Sequence, residues 1–537
     1  MDVSRSNLSR RYAWGAALTL VVLLGLFLRL HGIHNPLLDH PGWRQGDTAA
    51  IARNVATLDF NPLHPQTDYD GPPPNYVELE LQIVPFLAAA LYKVFGIHEI
   101  FGRLITLCFS LGTIVMLAFF ARRLVAGDTP PGLQAQVAGI VAAAAFAVYP
   151  GSVYYGRTFM PDTTMVFFLT AALFATTRLF ATGTWRGFWP AGVLFAAAIL
   201  AKPVAILALL PAAIASVARF GIAGTLRRGQ TWALLALAVA PYLAYDAYLS
   251  RIAEWHWSSG ITTRHVVPAL GVAFGSAAGF GAKLAATAAT VNLLASTMLG
   301  PWGLGLFVLA IFVPVARGAR PLLFGWLAAV VLYAFAVVTV ERVDYYLYPV
   351  LPLAALWTGA AFARAFDWAT DRVPARAAAA VGVALFVIVA NDGRQRVAHY
   401  YAYSRQVYRY AKALDATLPA GTLVVMGHYD PSVLYYINRK GWEEDPYLWT
   451  PFDEESAIRK GARYFIAIES NRLHRNVELN AWMQRFPLEN PNGAWPVYET
   501  DYAKLVPGAE ARWREFRRRE KSGELPAAPS PPVPPSG

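Results

Sequence analysis

Two acidic residues and an arginine lie directly after hydrophobic segments, at positions that packing alone explains poorly. Asp47 falls in residues 42–48, just beyond the first apolar segment, and Arg157 and Asp162 fall just beyond a later one. A charged side chain at a water–lipid boundary is energetically costly, so it usually serves binding or catalysis. These residues indicate chemistry on a charged substrate carried by a lipid.

Asp47 has the residue type and position of a general base. A carboxylate half-buried at an interface can accept the proton of an attacking hydroxyl or amine. Two structural roles compete with this one. Asp47 precedes a predicted helix over residues 48–56, so it could cap that helix, or it could form an ion pair with Arg44 or Arg53 that holds the loop.

Arg157 and Asp162 are five residues apart at the entrance to a helix. The functional interpretation has Arg157 contacting a phosphate, while Asp162 orients a sugar or Arg157 itself. The structural alternative is that the two residues cap and neutralise the following span, with Tyr154 and Tyr155 belonging to an interfacial aromatic belt.

Further cations and phenols occur at the same boundary. Lys202 lies between two apolar segments, and Arg342, Tyr345 and Tyr346 lie in the last short loop before an apolar segment. A leaving phosphate requires such donors, because it needs charge neutralisation more than protonation. The alternatives are that Lys202 snorkels to the headgroups and that the loop pairs internally.

No metal or cofactor site is predicted. His31, His34, His40 and His64 match no zinc-binding spacing. The single cysteine, Cys108, excludes an intramolecular disulfide and a cysteine-based cluster. No motif calls for a nucleotide or a flavin.

The composition is that of a membrane protein. Of the 537 residues, 56% are hydrophobic and only 15% are charged, whereas soluble domains have about 25% charged residues. Apolar runs of roughly 16 to 22 residues recur along the chain, which predicts a polytopic helical protein. The net charge of +11 comes mostly from basic residues at span ends, which argues against nucleic-acid binding.

Eleven membrane spans are predicted. Arginine clusters at alternate ends place the N-terminus in the cytoplasm and the C-terminus outside. The predicted spans cover approximately residues 13–30, 103–121, 134–150, 163–181, 186–201, 203–219, 231–248, 299–316, 321–340, 346–364 and 377–391.

The loops of unusual length or composition all lie on the predicted external side. The first, residues 31–102, holds Asp70 in a turn-rich stretch and then Glu78 and Glu80, which either line a cleft or form the wet face of a surface helix. Residues 81–95 are apolar but short, so they predict a helix on or dipping into the membrane surface. Residues 249–298 are predicted to be a longer external loop.

The C-terminal quarter has a soluble composition. Residues 422–427 and 464–468 predict two buried strands with helices between them, which indicates a small α/β domain over residues 392–506. Residues 507–537, charged and then proline-rich, are predicted to be disordered. The remaining residues, 1–391, are assigned to the membrane domain.

Taken together, these residues resemble a known pattern. The chain resembles, over about residues 10–365, the bacterial glycosyltransferase family 39 (protein-mannosyltransferase-like) proteins of the membrane GT-C superfamily, which includes the aminoarabinose transferases that modify lipid A. The resemblance rests on the order and placement of Trp43-Arg44-Gln45-Gly46-Asp47, Asp70-Gly71 with Glu78 and Glu80, Tyr92-Lys93-Val94-Phe95-Gly96 with Arg103-Leu104, Arg157 with Pro161-Asp162, Ala201-Lys202-Pro203, and Tyr345-Tyr346 with Pro349 and Pro352.

The resemblance implies an integral-membrane glycosyltransferase of the bacterial inner membrane that is active on the periplasmic side. It implies a sugar donor on a polyprenyl phosphate (undecaprenyl phosphate in bacteria), no cofactor, and a lipid, glycan or protein acceptor. Asp47 matches the proposed base and Asp162 the second functional acid. The implied roles are phosphate binding for Arg157, Lys202, Arg342 and Tyr345, and substrate binding for Arg44, Asp70, Glu78, Glu80 and Tyr346.

Two departures narrow this expectation. Eukaryotic protein mannosyltransferases carry an Asp-Glu pair in the first loop, whereas Thr48 follows Asp47 here, which argues against a conventional protein O-mannosyltransferase. The aminoarabinose transferases carry a lysine just before Pro-Pro, whereas Gly71 precedes Pro72 here, which argues against lipid A modification.

Two other functions remain open. A polymerase or ligase for lipid-linked glycans predicts a broad external groove over residues 249–298. A transporter or flippase usually shows charges in mid-span and repeated or broken helices, whereas this chain keeps its charges at one interface.

Overall fold

The computed structural model describes residues 2–127, 129–489 and 495–524. A helix lies at each of the eleven predicted spans. Helices in the first half of the chain are α1 (Asp2–Arg29), α2 (Gly42–Thr57), α3 (Ile83–Phe95), α4 (Ile100–Ala126), α5 (Leu133–Val148), α6 (Pro150–Tyr155), α7 (Asp162–Thr182), α8 (Trp185–Ala201), α9 (Leu209–Arg227) and α10 (Gly229–Ile252).

The second half of the membrane region is also helical. Its helices are α11 (Ser258–Ile261), α12 (Val267–Gly275), α13 (Ala277–Ala289), α14 (Val291–Leu293), α15 (Gly300–Ile311), α16 (Arg320–Tyr333), α17 (Thr339–Glu341), α18 (Val350–Thr370) and α19 (Ala375–Arg396).

The chain is a multi-pass membrane protein. Within the described residues, seven helical segments are long and apolar enough to cross a bilayer: Tyr12–Arg29, Ile100–Ala126, Asp162–Thr182, Pro203–Arg227, Gly229–Ile252, Arg320–Glu341 and Ala375–Arg396. At the other four predicted spans lie the shorter apolar helices α5, α8 and α15 and the 21-residue helix α18.

Small residues hold the centre of the bundle together. The alanine-rich α5 packs between α4 and α18. A Cβ on Gly139 would lie 2.5 Å from the Ala118 carbonyl oxygen, and one on Gly359 would lie 2.5 Å from the Ala138 carbonyl oxygen. Helices in lipid gain no hydrophobic free energy by associating, so close packing of their backbones stabilises the bundle instead.

The predicted first external loop folds into short elements, which lie between α1 and α4 in the chain. Strand β1 (Val77–Glu78) pairs in parallel with β2 (Trp255–His256). The helix predicted over residues 81–95 is present as α3. Its 13 residues extend about 20 Å, less than the thickness of a bilayer core, about 30 Å. Its burial of Val84, Ala88 and Tyr92 against neighbouring elements fits the predicted surface position.

Residues 249–298 differ from the predicted loop. They form the helices α11 to α14, joined by π-helical turns at Thr262–Val266 and Leu294–Met298. Alanine is the commonest residue of this stretch and favours a helix. Ser276 divides it into two arms, because its side chain caps α13 by accepting a hydrogen bond from the Gly279 amide.

The C-terminal region forms the predicted α/β domain. Its helices are α20 (Arg405–Thr417), α21 (Pro431–Ile437), α22 (Pro451–Arg459), α23 (Ser470–Arg475), α24 (Val477–Met483) and α25 (Ala509–Lys521). Its strands are β3 (Leu423–Met426), β4 (Lys440–Glu443), β5 (Ala462–Ile466), β6 (Leu488–Glu489) and β7 (Val497–Glu499). They form a sheet in the order β4-β3-β5-β7-β6, in which β4, β3 and β5 run parallel.

The prediction of disorder from residue 507 onward is wrong for residues 509–521, which form α25. Ion pairs from Arg485 to Glu510 and from Arg517 to Glu478 hold this helix against α24 and the segment after it. The high charge of this segment favoured a prediction of disorder. The ion-pair partners neutralise part of that charge, and they lie about 25 to 40 residues away in sequence, so the local pattern does not reveal them. Residues 525–537 lie outside the described residues.

Candidate active site

Asp47 occupies the second turn of α2. The helix begins at Gly42 with Pro41 as its N-cap, so the alternative that Asp47 caps the helix is wrong. The carboxylate is 1% exposed, and its Oδ1 accepts a hydrogen bond from the Tyr69 hydroxyl at 2.9 Å.

Burial gives Asp47 an unusual acidity. Removal from water raises the pKa of this carboxyl to about 7, against the opposing effects of Arg44 and the Tyr69 hydrogen bond. A carboxyl with a pKa near 7 combines a substantial deprotonated fraction with useful basicity at neutral pH. These are the properties required of a general base.

Arg44 lies one turn before Asp47 and points toward the same region. Its guanidinium forms an ion pair with Glu80, which follows β1. Burial opposes its charge, but the carboxylates of Glu80, Asp47 and Asp162 together raise its pKa. Arg44 is therefore a fixed cation placed among several acids.

Asp162 and Lys202 form a second buried pair in this region. The Lys202 ammonium donates a hydrogen bond to Asp162 Oδ1 at 2.5 Å. Asp162 is the first residue of α7, where the helix dipole favours a carboxylate. Its Oδ2 is buried and has no hydrogen-bond partner within the described residues.

Two tyrosines flank the Lys202 ammonium. Its Nζ lies 5.2 Å from the ring centroid of Tyr345 and 4.9 Å from that of Tyr346. Such contacts stabilise a cation by about 0.5–2 kcal/mol. The tyrosines thus hold the ammonium beside the Asp162 carboxylate.

An apolar crevice borders this cluster on its membrane side. Tyr333, in its wall, stacks near Tyr346 with ring centroids 6.3 Å apart. The crevice runs between α7, the turn after Lys202 and α16, and is lined by Met165, Leu169, Val204, Ala205, Leu207, Ala208, Trp326, Ala329, Val330, Tyr333 and Pro349.

Arg157 is placed elsewhere, which revises its predicted phosphate-binding role. Its guanidinium donates to Asp39 Oδ2 at 2.8 Å and to the Gly32 carbonyl at 3.0 Å, and it lies over the rings of Tyr154 and Tyr401. Asp39 also pairs with Arg103. Arg157 is fully buried and shares the Asp39 carboxylate with Arg103, and these contacts join the first loop to the bundle.

Arg342 is also set apart from the cluster. It ends α17 in a left-handed conformation with φ of 50°, and its side chain is exposed. The structure gives it no contact with Lys202 or Asp162.

Glu78 and Asp70 occupy different sides of the first loop. Glu78 accepts a hydrogen bond from the Ser259 hydroxyl at 2.5 Å and pairs with His256, so it connects β1 to the segment that follows β2. Asp70 is half-buried, and burial raises its pKa to about 6. It contributes to the electrostatic field at Asp47.

Several residues of the site escaped sequence reasoning. Tyr69, the partner of Asp47, lies between two acids in a turn, and that pattern could have singled it out. Asp430 and Glu443 belong to the C-terminal domain, yet both lie close enough to Asp47 to interact electrostatically. No local pattern could have joined them to a loop almost 400 residues earlier.

Comparisons with known proteins agree with this architecture. Residues 82–245 match the family model described as dolichyl-phosphate-mannose-protein mannosyltransferase. The comparison with curated proteins found no match.

Solved structures extend the likeness over most of the chain. ArnT from Cupriavidus metallidurans bound to undecaprenyl phosphate is similar with a TM-score of 0.56 and 14% identity, over 91% of this chain and 99% of that one. The apo oligosaccharyltransferase of Archaeoglobus fulgidus is similar with a TM-score of 0.59 and 13% identity, over 92% of this chain and 75% of that one. These findings confirm the predicted membrane fold, which the chain shares with these two proteins.

Proposed function

We propose that the chain is an integral-membrane glycosyltransferase that moves a sugar from a polyprenyl-phosphate donor to an acceptor on the external side of a bacterial inner membrane. The observation that carries the proposal is the buried Asp47 carboxyl, with a pKa of about 7, grouped with Arg44 and the Lys202–Asp162 pair beside an apolar crevice. The match to ArnT bound to undecaprenyl phosphate supports the donor class.

Each part of the site has a role in this reaction. The crevice holds the first isoprenoid units, while Lys202 and Arg44 neutralise the phosphate. Asp162 and the rings of Tyr345 and Tyr346 keep the Lys202 ammonium in place. Lys202 is thereby ready to stabilise the charge that develops on the departing phosphate.

Asp47 acts on the acceptor. It removes the proton from the attacking hydroxyl or amine while the new bond to the anomeric carbon forms and the bond to the phosphate breaks. Attack from the side opposite the phosphate inverts the anomeric configuration. Tyr69 orients the carboxylate through its hydrogen bond to Oδ1.

The proposal is tested with purified protein in nanodiscs and a panel of radiolabelled polyprenyl-phosphate sugars. We expect release of free polyprenyl phosphate from at least one donor when a mixture of envelope lipids and glycans supplies the acceptor. Saturable donor binding without release from any donor would contradict a transferase and would favour a transporter.

A further inference from the structure

The C-terminal domain closes one side of the Asp47 site. Helix α21 approaches α2 so closely that a Cβ on Gly46 would lie 2.5 Å from Ser432 Cα. At a second point, the Gly71 amide donates to the Gly441 carbonyl at 2.8 Å, and the Gly441 amide donates to the Asp68 carbonyl at 2.9 Å. These contacts hold α21 and β4 in register against the first external loop.

This docking brings two acids toward Asp47. Asp430 caps α21 by accepting a hydrogen bond from the Ser432 amide at 2.9 Å, and its Oδ2 would lie 3.5 Å from a Cβ on Gly42 of α2. Glu443 ends β4, two residues after the glycine that pairs with the first loop. Two carboxylates from one domain therefore face the proposed base in another.

The hydrogen bonding of Glu443 is incomplete among the described residues. Its Oε2 is buried and has no hydrogen-bond partner within the described residues. Burial, together with repulsion from Asp47, Asp70 and Asp430, raises its pKa well above the usual range, and a cation bound beside it would lower that pKa and stabilise the carboxylate. An unsatisfied buried carboxyl oxygen costs free energy in the absence of a ligand, so this atom points to a bound hydrogen-bond donor.

The two sides of Asp47 differ in charge. On the bundle side the cations Arg44 and Lys202 each pair with an acid, Glu80 and Asp162 respectively. This side therefore has no excess of negative charge and offers two cationic donors that suit a phosphate. On the domain side lie Asp70, Asp430 and Glu443, which would repel a phosphate or carboxylate. Among the residues that the structure describes, no three His, Cys, Asp or Glu side chains are arranged to hold a metal ion. The acids thus favour a cation that donates several separate hydrogen bonds.

Aromatic rings complete this side. Tyr69 stacks on Trp257 with ring centroids 5.5 Å apart and an interplanar angle of 17°, and the Tyr69 hydroxyl reaches Asp47. Tyr429, next to Asp430, is 66% exposed. Aromatic faces beside carboxylates offer a sugar ring apolar contact, while the carboxylates accept its polar hydrogens.

We propose that the junction between the first external loop and the C-terminal domain is the acceptor subsite, and that it takes an amino sugar whose free ammonium faces Glu443 and Asp430. This inference rests on the proposed glycosyltransferase function. In the reaction, an acceptor hydroxyl gives its proton to Asp47 and its oxygen bonds to the anomeric carbon of the donor sugar. The bond from that carbon to the phosphate oxygen breaks, its electron pair leaves with the phosphate, and the ammonium stays protonated throughout.

Binding is measured first, without donor, because it requires no turnover. Wild-type protein in nanodiscs is titrated with methyl glucosaminide and with methyl N-acetylglucosaminide at pH 7, and binding is followed by ligand-observed NMR. We expect the free amine to bind at least tenfold more tightly, since acetylation removes the charge. Equal affinity for the two ligands would overturn the proposal.

Variants then locate the site. Glu443→Gln keeps the shape of the side chain, and we expect it to lose the tenfold preference while its thermal unfolding stays cooperative. The matched control Glu499→Gln alters a glutamate of the same sheet that pairs with Lys504, and it should keep the preference. Preference retained in Glu443→Gln, or loss of amine binding when Mg²⁺ is added at a concentration comparable to that of the ligand, would overturn the proposal.

Turnover separates this inference from the proposed function. Selective amine binding with no release from any polyprenyl-phosphate donor would contradict the transferase and leave the amine site standing. Release that is equally fast with the acetylated and the free acceptor would leave the transferase standing and overturn the amine subsite.

Discussion

At the residue scale, the site depends on a carboxyl whose charge is finely balanced. Asp47 is removed from water, close to the cation Arg44 and close to the acids Asp70 and Asp430. The same position that makes the carboxyl costly to ionise makes it a stronger base once it is ionised.

This balance predicts the pH dependence of transfer. Because burial raises the folded-state pKa of Asp47 to about 7, the carboxyl is mostly protonated and inactive at pH 5 and mostly deprotonated at pH 8. We expect kcat/KM to rise with pH and level off above about 7, measured as polyprenyl phosphate release across buffers of constant ionic strength. A rate that is flat between pH 5 and 8, or that falls over that interval, would contradict the assignment.

Lys202 should act mainly on donor binding. Lys202→Met removes the ammonium that pairs with Asp162, and we expect the Kd of polyprenyl phosphate to rise about 10- to 100-fold, the equivalent of one charged hydrogen bond. Lys202→Arg should recover part of this loss. The control Lys93→Met alters an exposed lysine near Phe60, and an equal loss in that variant would contradict a specific phosphate contact.

Sequence reasoning predicted the half of this candidate site that contains Arg44 and Lys202. Arg44, Asp47, Asp162 and Lys202 were selected because they lie at span ends on one predicted side, and the bundle brings those ends together. Arg157 satisfied the same criterion, yet it contacts Asp39 and the Gly32 carbonyl and not the Lys202–Asp162 pair. The position of a charged residue at the end of a span indicates its depth in the membrane, but it does not predict which residue it will pair with.

At the element scale, short helices and strands outside the bilayer shape the site. Helix α2 presents Arg44 and Asp47 one turn apart, and α21 packs directly on it through Gly46. Apolar helices occupy residues 258–289, where the sequence predicted a loop. Span-length criteria overlooked them because Pro268 and Ser276 interrupt the apolar stretch.

The contact between α2 and α21 can be tested at Gly46. In Gly46→Ala the new methyl group would overlap Ser432, so α21 must shift, and such overpacking typically costs about 1–3 kcal/mol. We expect a lower unfolding temperature and faster proteolysis of the C-terminal domain.

The matched control is Gly281→Ala in α13, where a Cβ meets nothing within 4 Å. That variant should be neutral or slightly more stable, because alanine favours a helix over glycine by about 1 kcal/mol. Equal behaviour of the two variants would mean that the domain does not rest on Gly46.

At the scale of the whole molecule, the docked domain constrains the topology. The first external loop and the C-terminal domain touch at Asp68, Gly71 and Lys440, so both must lie on the same side of the membrane. Ten predicted spans separate them, and an even number satisfies this requirement. The number of spans counted from the apolar runs therefore agrees with the contact between the loop and the domain. The contact itself joins residues that are too distant in sequence for any local pattern to reveal.

Cysteine labelling tests which side this is. In a Cys108→Ala background, single cysteines are placed at Leu63 in the first loop, at Ser522 after α25 and at Arg372 after α18. A membrane-impermeant maleimide applied from outside should label positions 63 and 522 and spare position 372. Labelling of 372 alone would reverse the proposed orientation.

The most direct test of the central claim compares wild type with Asp47→Asn in nanodiscs. The asparagine keeps the size of the side chain but cannot accept the acceptor proton, and general-base catalysis contributes about 10²- to 10⁴-fold. The control Asp59→Asn alters a more exposed acid of the same loop that pairs with His64. We predict that Asp47→Asn binds the polyprenyl-phosphate sugar normally and releases polyprenyl phosphate at least a hundredfold more slowly, while Asp59→Asn keeps the wild-type rate. Equal release by wild type and Asp47→Asn would contradict the role of Asp47 as the base.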